Sequence, residues 1–266
     1  MKRYINISLM MAFILAVLMF AGCNQNKTSE PEEVIGIIGA MDVEIESLKE
    51  KMDITNTSEE DAMEFCEGTL EGQKVVIVKC GMGKVNAGVC ASDLIDDFGC
   101  TKIINTGVAG SLDNKLNIGD IVVSTDAVQH DVDVEHIGFK KGEIPYTGKY
   151  AFAADEKLRE QAVEAVKSVA ADINVYEGRI CSGDQFIHTK EQKDRIVGDF
   201  GGMCAEMEGA AIAQICYLNE TPFVIIRAVS DKVDETEAVE YKEFEPKAAA
   251  ISAETVIHML DDMDEE

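Results

Sequence analysis

Proline is scarce in this chain, four residues in 266, while glycine reaches 21. That balance excludes a linker-rich protein and fits a compact mixed α/β domain. Positive charge is scarce too. Only 24 Lys and Arg stand against 50 Asp and Glu, for a net charge of −26. Such a chain repels phosphate backbones, which excludes nucleic acid as a partner. Strong acidity is the ordinary mark of a solvated surface; a basic partner or salty surroundings are the other readings. Cys-x-x-Cys is absent. Apart from Cys23 the cysteines are Cys66, Cys80, Cys90, Cys100, Cys181, Cys204 and Cys216. Their odd number and apolar settings argue against a disulfide framework or a zinc site and for buried free thiols. No metal and no other cofactor is expected.

The N-terminal apolar run, Leu9 to Ala21, is shorter than the roughly 20 residues that span a bilayer. Lys2 and Arg3 precede it and Gly22 follows. A positive start, an apolar centre and a small-residue exit form a secretory signal. The exit Phe20-Ala21-Gly22-Cys23 resembles a bacterial lipobox. That resemblance implies loss of residues 1–22 and a lipid on Cys23, with the chain held on the outer face of a bacterial membrane. An uncleaved signal anchor is the alternative. Residues 24–33, "NQNKTSEPEE", are polar and without period, as in a flexible tether. Its ten residues reach roughly 30–35 Å when extended. Lipidated Cys23 and tether thus cover 23–33, and one domain covers 34–266. Free thiols in an exported domain fit a fold first built for the cytosol.

From Val34 onward, strand and helix patterns alternate. "VIGIIG" reads as a buried strand, and Met41, Ile45, Leu48 and Met52 fall at helical spacing. "EFCEGTL" and "KVVIVKC" flank Glu71-Gly72 as a hairpin. Val85 to Phe98 reads as a helix, "KIINTG" and "DIVVSTDAV" as strands. Residues 129–150 lack a period and read as a long functional loop. A helix from Asp155, the strand "VYEGRICSGD", a short polar helix over 189–198, a small-residue helix "EMEGAAIAQICYLN", the strand "FVIIRAVSD" and a last helix from Phe244 to Leu260 complete the order. This pattern predicts a single three-layer α/β domain, a central mixed sheet flanked by helices on both faces. In such sheets ligands gather at the carboxyl ends of strands.

Four strand ends carry unusual residues. After Gly39, Glu44 falls in a first helical turn, where the helix dipole alone favours an acid. Gly81 and Gly83 form a Gly-x-Gly without the third glycine of a dinucleotide fingerprint. With Gly107 and Gly110, they fit close approach of backbone to a small ligand. Ser230-Asp231 is either a helix cap or a catalytic acid. Glu206 and Glu208, in "CAEMEGAA", set two carboxylates among small apolar residues, where isolated charge is costly.

Taken together, "IGIIGAMDVEIESL", "GMGKVNAG", "IINTGVAGSL", "IGDIVVSTDAVQHDVDV", "SGDQFI", "EMEGAAIAQIC" and "IRAVSD" resemble the 5'-methylthioadenosine/S-adenosylhomocysteine nucleosidases, within the wider purine and uridine phosphorylase fold. The resemblance runs from Val34 to the last helix. It implies hydrolysis of an adenine N-glycosidic bond through an oxocarbenium-like transition state. Asp231 would protonate adenine N7, which requires burial or nearby charge to raise its pKa. Glu44 would activate water as general base. Glu208 would accept ribose hydroxyl hydrogen bonds and stabilise positive charge developing on the sugar. Phe186 would stack on adenine and the Ile187 backbone would read its edge. Met207 would touch the ribose, with Glu206 alongside as a second contact or a structural acceptor. Ser230 would orient Asp231, Met41 and Met82 would shape an apolar slot for the 5'-substituent, and Gly110 would allow close approach at the ribose. Ile137, Phe139 and Tyr241 match positions that complete a neighbour's pocket, which implies a homodimer. Val108 departs from the family pattern, where Ser is common, and Val43 replaces a common acid. Two other functions stay open. A phosphorylase of this fold needs arginines for phosphate, and only Arg159, Arg179, Arg195 and Arg227 lie in the domain. A lipoprotein that binds nucleosides without catalysis is the other, against which the set Glu44, Glu208 and Asp231 argues.

Overall fold

The computed structural model describes residues 33–169, 173–232 and 237–263, with the backbone alone for 237–241. The expected signal segment 1–22, Cys23 and tether residues 24–32 lie outside the described residues. In chain order, β1 (Ile35–Gly39) leads into α1 (Asp42–Lys51). β2 (Asp53–Glu60), β3 (Met63–Leu70) and β4 (Gln73–Lys79) follow, then α2 (Lys84–Asp96), β5 (Lys102–Ser111) and β6 (Ile121–Gln129). A 3-10 turn, Glu135–Ile137, interrupts the long irregular stretch before β7 (Phe152–Ala153). Then come α3 (Glu156–Val169), β8 (Val175–Ser182), α4 (Lys190–Phe200), β9 (Cys204–Glu206), α5 (Gly209–Leu218), β10 (Phe223–Lys232) and α6 (Glu237–Met263).

β4, β1, β5 and β10 run parallel, side by side. Their Ile and Val runs suit strands covered on both faces, and the two-residue period sends alternate side chains to opposite layers. Ile38, Val76, Val78 and Ile103 meet Ala87, Cys90 and Leu94 of α2 and Ala210, Ile212 and Cys216 of α5. Ile37, Ile77, Ile104 and Ile226 meet Leu48 of α1, Leu158 and Val166 of α3, and Ala249, Val256 and Leu260 of α6. The result is the expected mixed sheet between helical layers. One feature exceeds that expectation. β10 pairs with both β5 and β6, and β6 continues through β8 and β9 back to β5, so half of the sheet closes on itself.

Three elements differ from the pattern reading. "CAEMEGAA" is not all helix: Cys204–Glu206 is strand β9, and α5 begins only at Gly209. β9 is held between β5 and β8, and that long-range pairing overrides the helical look of a small-residue run. Asp231 is not a helix cap but lies in β10. β2, polar on both faces, shows no apolar alternation; it pairs with β3 as an exposed, acidic sheet edge, which discourages further strand pairing. The hairpin at Glu71-Gly72 is present, both residues taking the positive φ that a tight hairpin turn requires.

Cys66, Cys80, Cys90, Cys100, Cys181, Cys204 and Cys216 are all unbridged and buried. Denatured protein titrated without reductant is therefore expected to show these seven as free thiols; a smaller number would mean that bridges form.

Candidate active site

The carboxyl ends of β1, β4, β5, β9 and β10 converge on one half-open cleft. Its lining includes Met41, Glu44, Met82, Gly110, Phe186, Glu206, Met207, Glu208, Ser230 and Asp231. These come from distant parts of the chain and are brought together only by the sheet. Sequence reading placed no role on Ala40, Ala109 or Ala205, which complete the walls with Val108.

Glu44 sits in the first turn of α1 and is buried. Its Oε2 accepts the Ala40 and Met41 amides at 2.7 and 3.0 Å, and Oε1 accepts the Val108 amide at 3.0 Å. Burial raises its pKa; the Arg227 charge and the three amides pull the other way without cancelling it. A Cβ on Gly107 would lie 2.4 Å from Oε1, so only glycine leaves room for this carboxylate.

Asp231 is equally buried. Ser230 bulges out of the β10–β5 register, which passes from Val229↔Ala109 to Asp231↔Gly110. A bulge re-aims the side chains that follow it. The Ser230 hydroxyl donates to Asp231 Oδ1 at 2.7 Å. A Cβ on Gly110 would come within 3.0 Å of Oδ2, so this glycine makes space for the acid.

The two acids of "CAEMEGAA" occupy different settings. Both oxygens of Glu206 are spoken for. Oε1 accepts the Ser182 hydroxyl, and Oε2 accepts the Gly209 and Glu208 amides at 2.8 and 3.2 Å and the Arg227 guanidinium. Glu206 is thus a structural acceptor at the cleft wall. Glu208 directly precedes α5, and its Oε1 takes the Gly83 amide at 2.9 Å. Gly83 has φ +100°, a conformation that favours glycine. Burial first, then Glu206, push the Glu208 carboxyl up to about 7, against the pull of Arg227.

Arg227 is the residue that motif reading passed over. It lies in the strand FVIIRAV with 2% exposure. One Nη donates to Asn105 Oδ1 at 2.6 Å and to Glu206, and stands 4.0 Å from Glu208. Burial works against its charge, but Glu206, Glu44 and Glu208 together outweigh that cost and hold its pKa above the ordinary value. A lone Arg in an apolar strand was the available signal, since a buried charge demands partners.

Ile187 does not line the cleft; its side chain is buried with Leu112, Val128, Cys181 and Phe200. Ile137 is exposed on the 3-10 turn, and Phe139 packs edge-on to Tyr146. Neither lines this chain's cleft. The Tyr241 side chain lies outside the described residues. Among the described residues, no cluster of His, Cys, Asp and Glu is placed to hold a metal ion.

Fold and cleft together define the class of this protein. The family model of the phosphorylase superfamily matches residues 34–261. A curated 5'-methylthioadenosine/S-adenosylhomocysteine nucleosidase of Anoxybacillus flavithermus is 43% identical over 233 residues, covering 86% of this chain and 98% of that protein. A solved nucleosidase of the same name from Neisseria meningitidis, in complex with methylthio-immucillin-A, is 40% identical with a TM-score of 0.83, covering 86% of this chain and 99% of that one. Futalosine hydrolase of Helicobacter pylori is 33% identical, with a TM-score of 0.82 over 87% and 98% of the two chains. The chain belongs to the phosphorylase superfamily, and within it to the 5'-methylthioadenosine/S-adenosylhomocysteine nucleosidases.

The Glu208 environment has a measurable consequence. A carboxyl whose pKa is higher in the folded than in the unfolded state binds its proton better when folded. Stability then falls as pH rises from 4.5 through about 7. Glu208→Gln removes this titration and keeps an oxygen for the Gly83 amide. Over that window wild type should lose stability relative to the variant, by no more than about 3 kcal/mol, measured as urea midpoints. A constant difference across the window would contradict the assigned environment.

Proposed function

We propose that this chain hydrolyses the N-glycosidic bond of 5'-methylthioadenosine, S-adenosylhomocysteine and related adenine nucleosides, releasing adenine and a 5-substituted ribose. The observation that carries this reading is the convergence of Glu44, Glu208 and Asp231 on one cleft with Phe186 at its mouth, in a chain so similar to nucleosidases.

Each group has a job suited to its setting. Asp231, oriented by Ser230, is the acid that protonates adenine N7 and lets the base leave. Glu44 is the base that takes a proton from water; a raised pKa makes it a stronger acceptor than an exposed carboxylate. Glu208 accepts the ribose hydroxyls, and its ionised form favours the positive sugar of the transition state. Phe186, 47% exposed, offers a ring face to adenine. Met207 lies against the ribose, and Met41 and Met82 give the thioether-bearing end of the substrate an apolar, adaptable surface.

Water rather than phosphate is the co-substrate. Among the described residues, no Lys or Arg lines the cleft. Arg159 pairs with Glu177, Arg179 with Asp126 and Arg227 with Glu206. The ionised acids among the cleft-lining Glu44, Glu206, Glu208 and Asp231 repel a phosphate dianion.

The chain acts as a lipoprotein on the outer face of a bacterial membrane, after removal of residues 1–22 and lipidation of Cys23, with 23–33 as tether and 34–266 as the enzyme. The lipobox-like Phe20-Ala21-Gly22-Cys23 supports this. It also works as a homodimer in which Ile137, Phe139 and Tyr241 close the neighbour's cleft. The exposure of Ile137, Met82 and Val85 supports that reading.

Adenine release from methylthioadenosine should proceed without phosphate, and Glu44→Gln and Asp231→Asn should each lower turnover by about 100-fold or more. Strict phosphate dependence would make this a phosphorylase, binding without turnover a non-catalytic receptor, and a near-normal rate in either variant would remove that residue's role. Cys23→Ser should move the protein out of the membrane fraction and leave a species sedimenting as a dimer. Retention would indicate a signal anchor, and a monomer would rule out the shared cleft.

A further inference from the structure

Two consecutive amides of β5 donate to side chains. Val108 N–H goes to Glu44 Oε1 at 3.0 Å, and Gly107 N–H goes to Ser252 Oγ at 3.2 Å. Ser252 belongs to α6, on a stripe with Ala248, Ala249, Ala253 and Val256 packed against the sheet. It is fully buried. A hydroxyl in such a layer is costly unless it is bonded. Its partners besides Gly107 are the Thr106 hydroxyl at 2.7 Å and the carbonyl of Ile226, the residue before Arg227, at 3.4 Å. Ser252 thus sits over the β5–β10 seam directly behind the cleft.

The need for such an anchor follows from Gly107. Space for Glu44 requires glycine there, and glycine is the residue that least restrains the two peptide planes it joins. One plane carries the Gly107 amide and the next carries the Val108 amide that holds Glu44. Fixing the first restrains the second. We infer that Ser252 is a positioning residue for the hydrolysis, holding the Gly107 peptide so that the Val108 amide stays aimed at the Glu44 carboxylate. The inference rests on the reading of Glu44 as the base.

Glu44 is faced by Arg227 and Asp231 from β10 and by Glu208 from the segment before α5, with Glu206 of β9 behind Arg227. Ser252 replacement leaves all four in place. Loss of an aligned amide disfavours the ionised carboxylate, so the base should ionise at higher pH.

The test is adenine release from methylthioadenosine by the full-length chain across a pH series. Ser252→Ala should lower kcat about 10-fold, leave KM within about 2-fold, and move the acidic limb of kcat/KM upward by about half a pH unit. Ser252→Cys fills the site with a somewhat larger thiol, which is a poor acceptor. It should shift the limb likewise, and it carries the comparison if the alanine variant fails to fold. Thr255→Val is the control. Thr255 is also buried on α6, but among the described residues its hydroxyl bonds the Ile251 carbonyl of the same helix alone, at 2.9 Å, so this variant should keep the wild-type limb. An active wild type with an unmoved limb in the Ser252 variants, or an equal shift in Thr255→Val, sinks this inference alone. An inactive wild type sinks the reading of Glu44, and this inference with it.

Discussion

The buried Arg227 guanidinium is the interaction on which the cleft depends. Carboxylates packed at the end of a sheet repel one another and lose their water. One positive charge, itself cut off from solvent, makes the cluster tenable. Glu206 contacts it directly, Glu208 stands at 4.0 Å, and Glu44 feels its field. Removing one partner of such a set leaves an uncompensated buried charge, which is the costly outcome. Glu206 therefore serves the site without needing to touch substrate. Its oxygens tie β9, β10, the Ser182 end of β8 and the start of α5 into one unit.

The same cluster explains how chemically alike acids can do different work. Glu44 is fixed by three amides from two segments, Asp231 by the serine beside it on a bulge, and Glu208 by the Gly81–Gly83 turn. Environments that separate the protonation behaviour of neighbouring carboxyls are what acid–base catalysis requires. The glycines at 83, 107 and 110 take part through space or conformation, since side chains there would be strained or would strike the acids or nearby polar groups.

Much of this was legible from local pattern. Buried strands announced themselves through Ile and Val runs, helices through their apolar spacing, and the hairpin through Glu71-Gly72. Elements whose partners are distant were less legible. β9 looks helical until β5 and β8 are placed on either side of it, and β2 has no apolar face to betray it. Closure of the sheet through the β10–β5 pairing leaves no mark in any short window of sequence.

The residues of the cleft divide in the same way. The amino-acid sequence by itself determined the family and the alternating α/β order, and it singled out Glu44, Glu208 and Asp231, which the fold brings to one cleft, because those motifs are local and ordered along the chain. Only the tertiary structure decided that Glu206 is an anchor, that Arg227 is the charge it anchors, and that Ser252 backs Gly107 of β5. Each of those roles is a contact between residues more than 20 positions apart. Burial and electrostatics act through space, and sequence proximity does not report them.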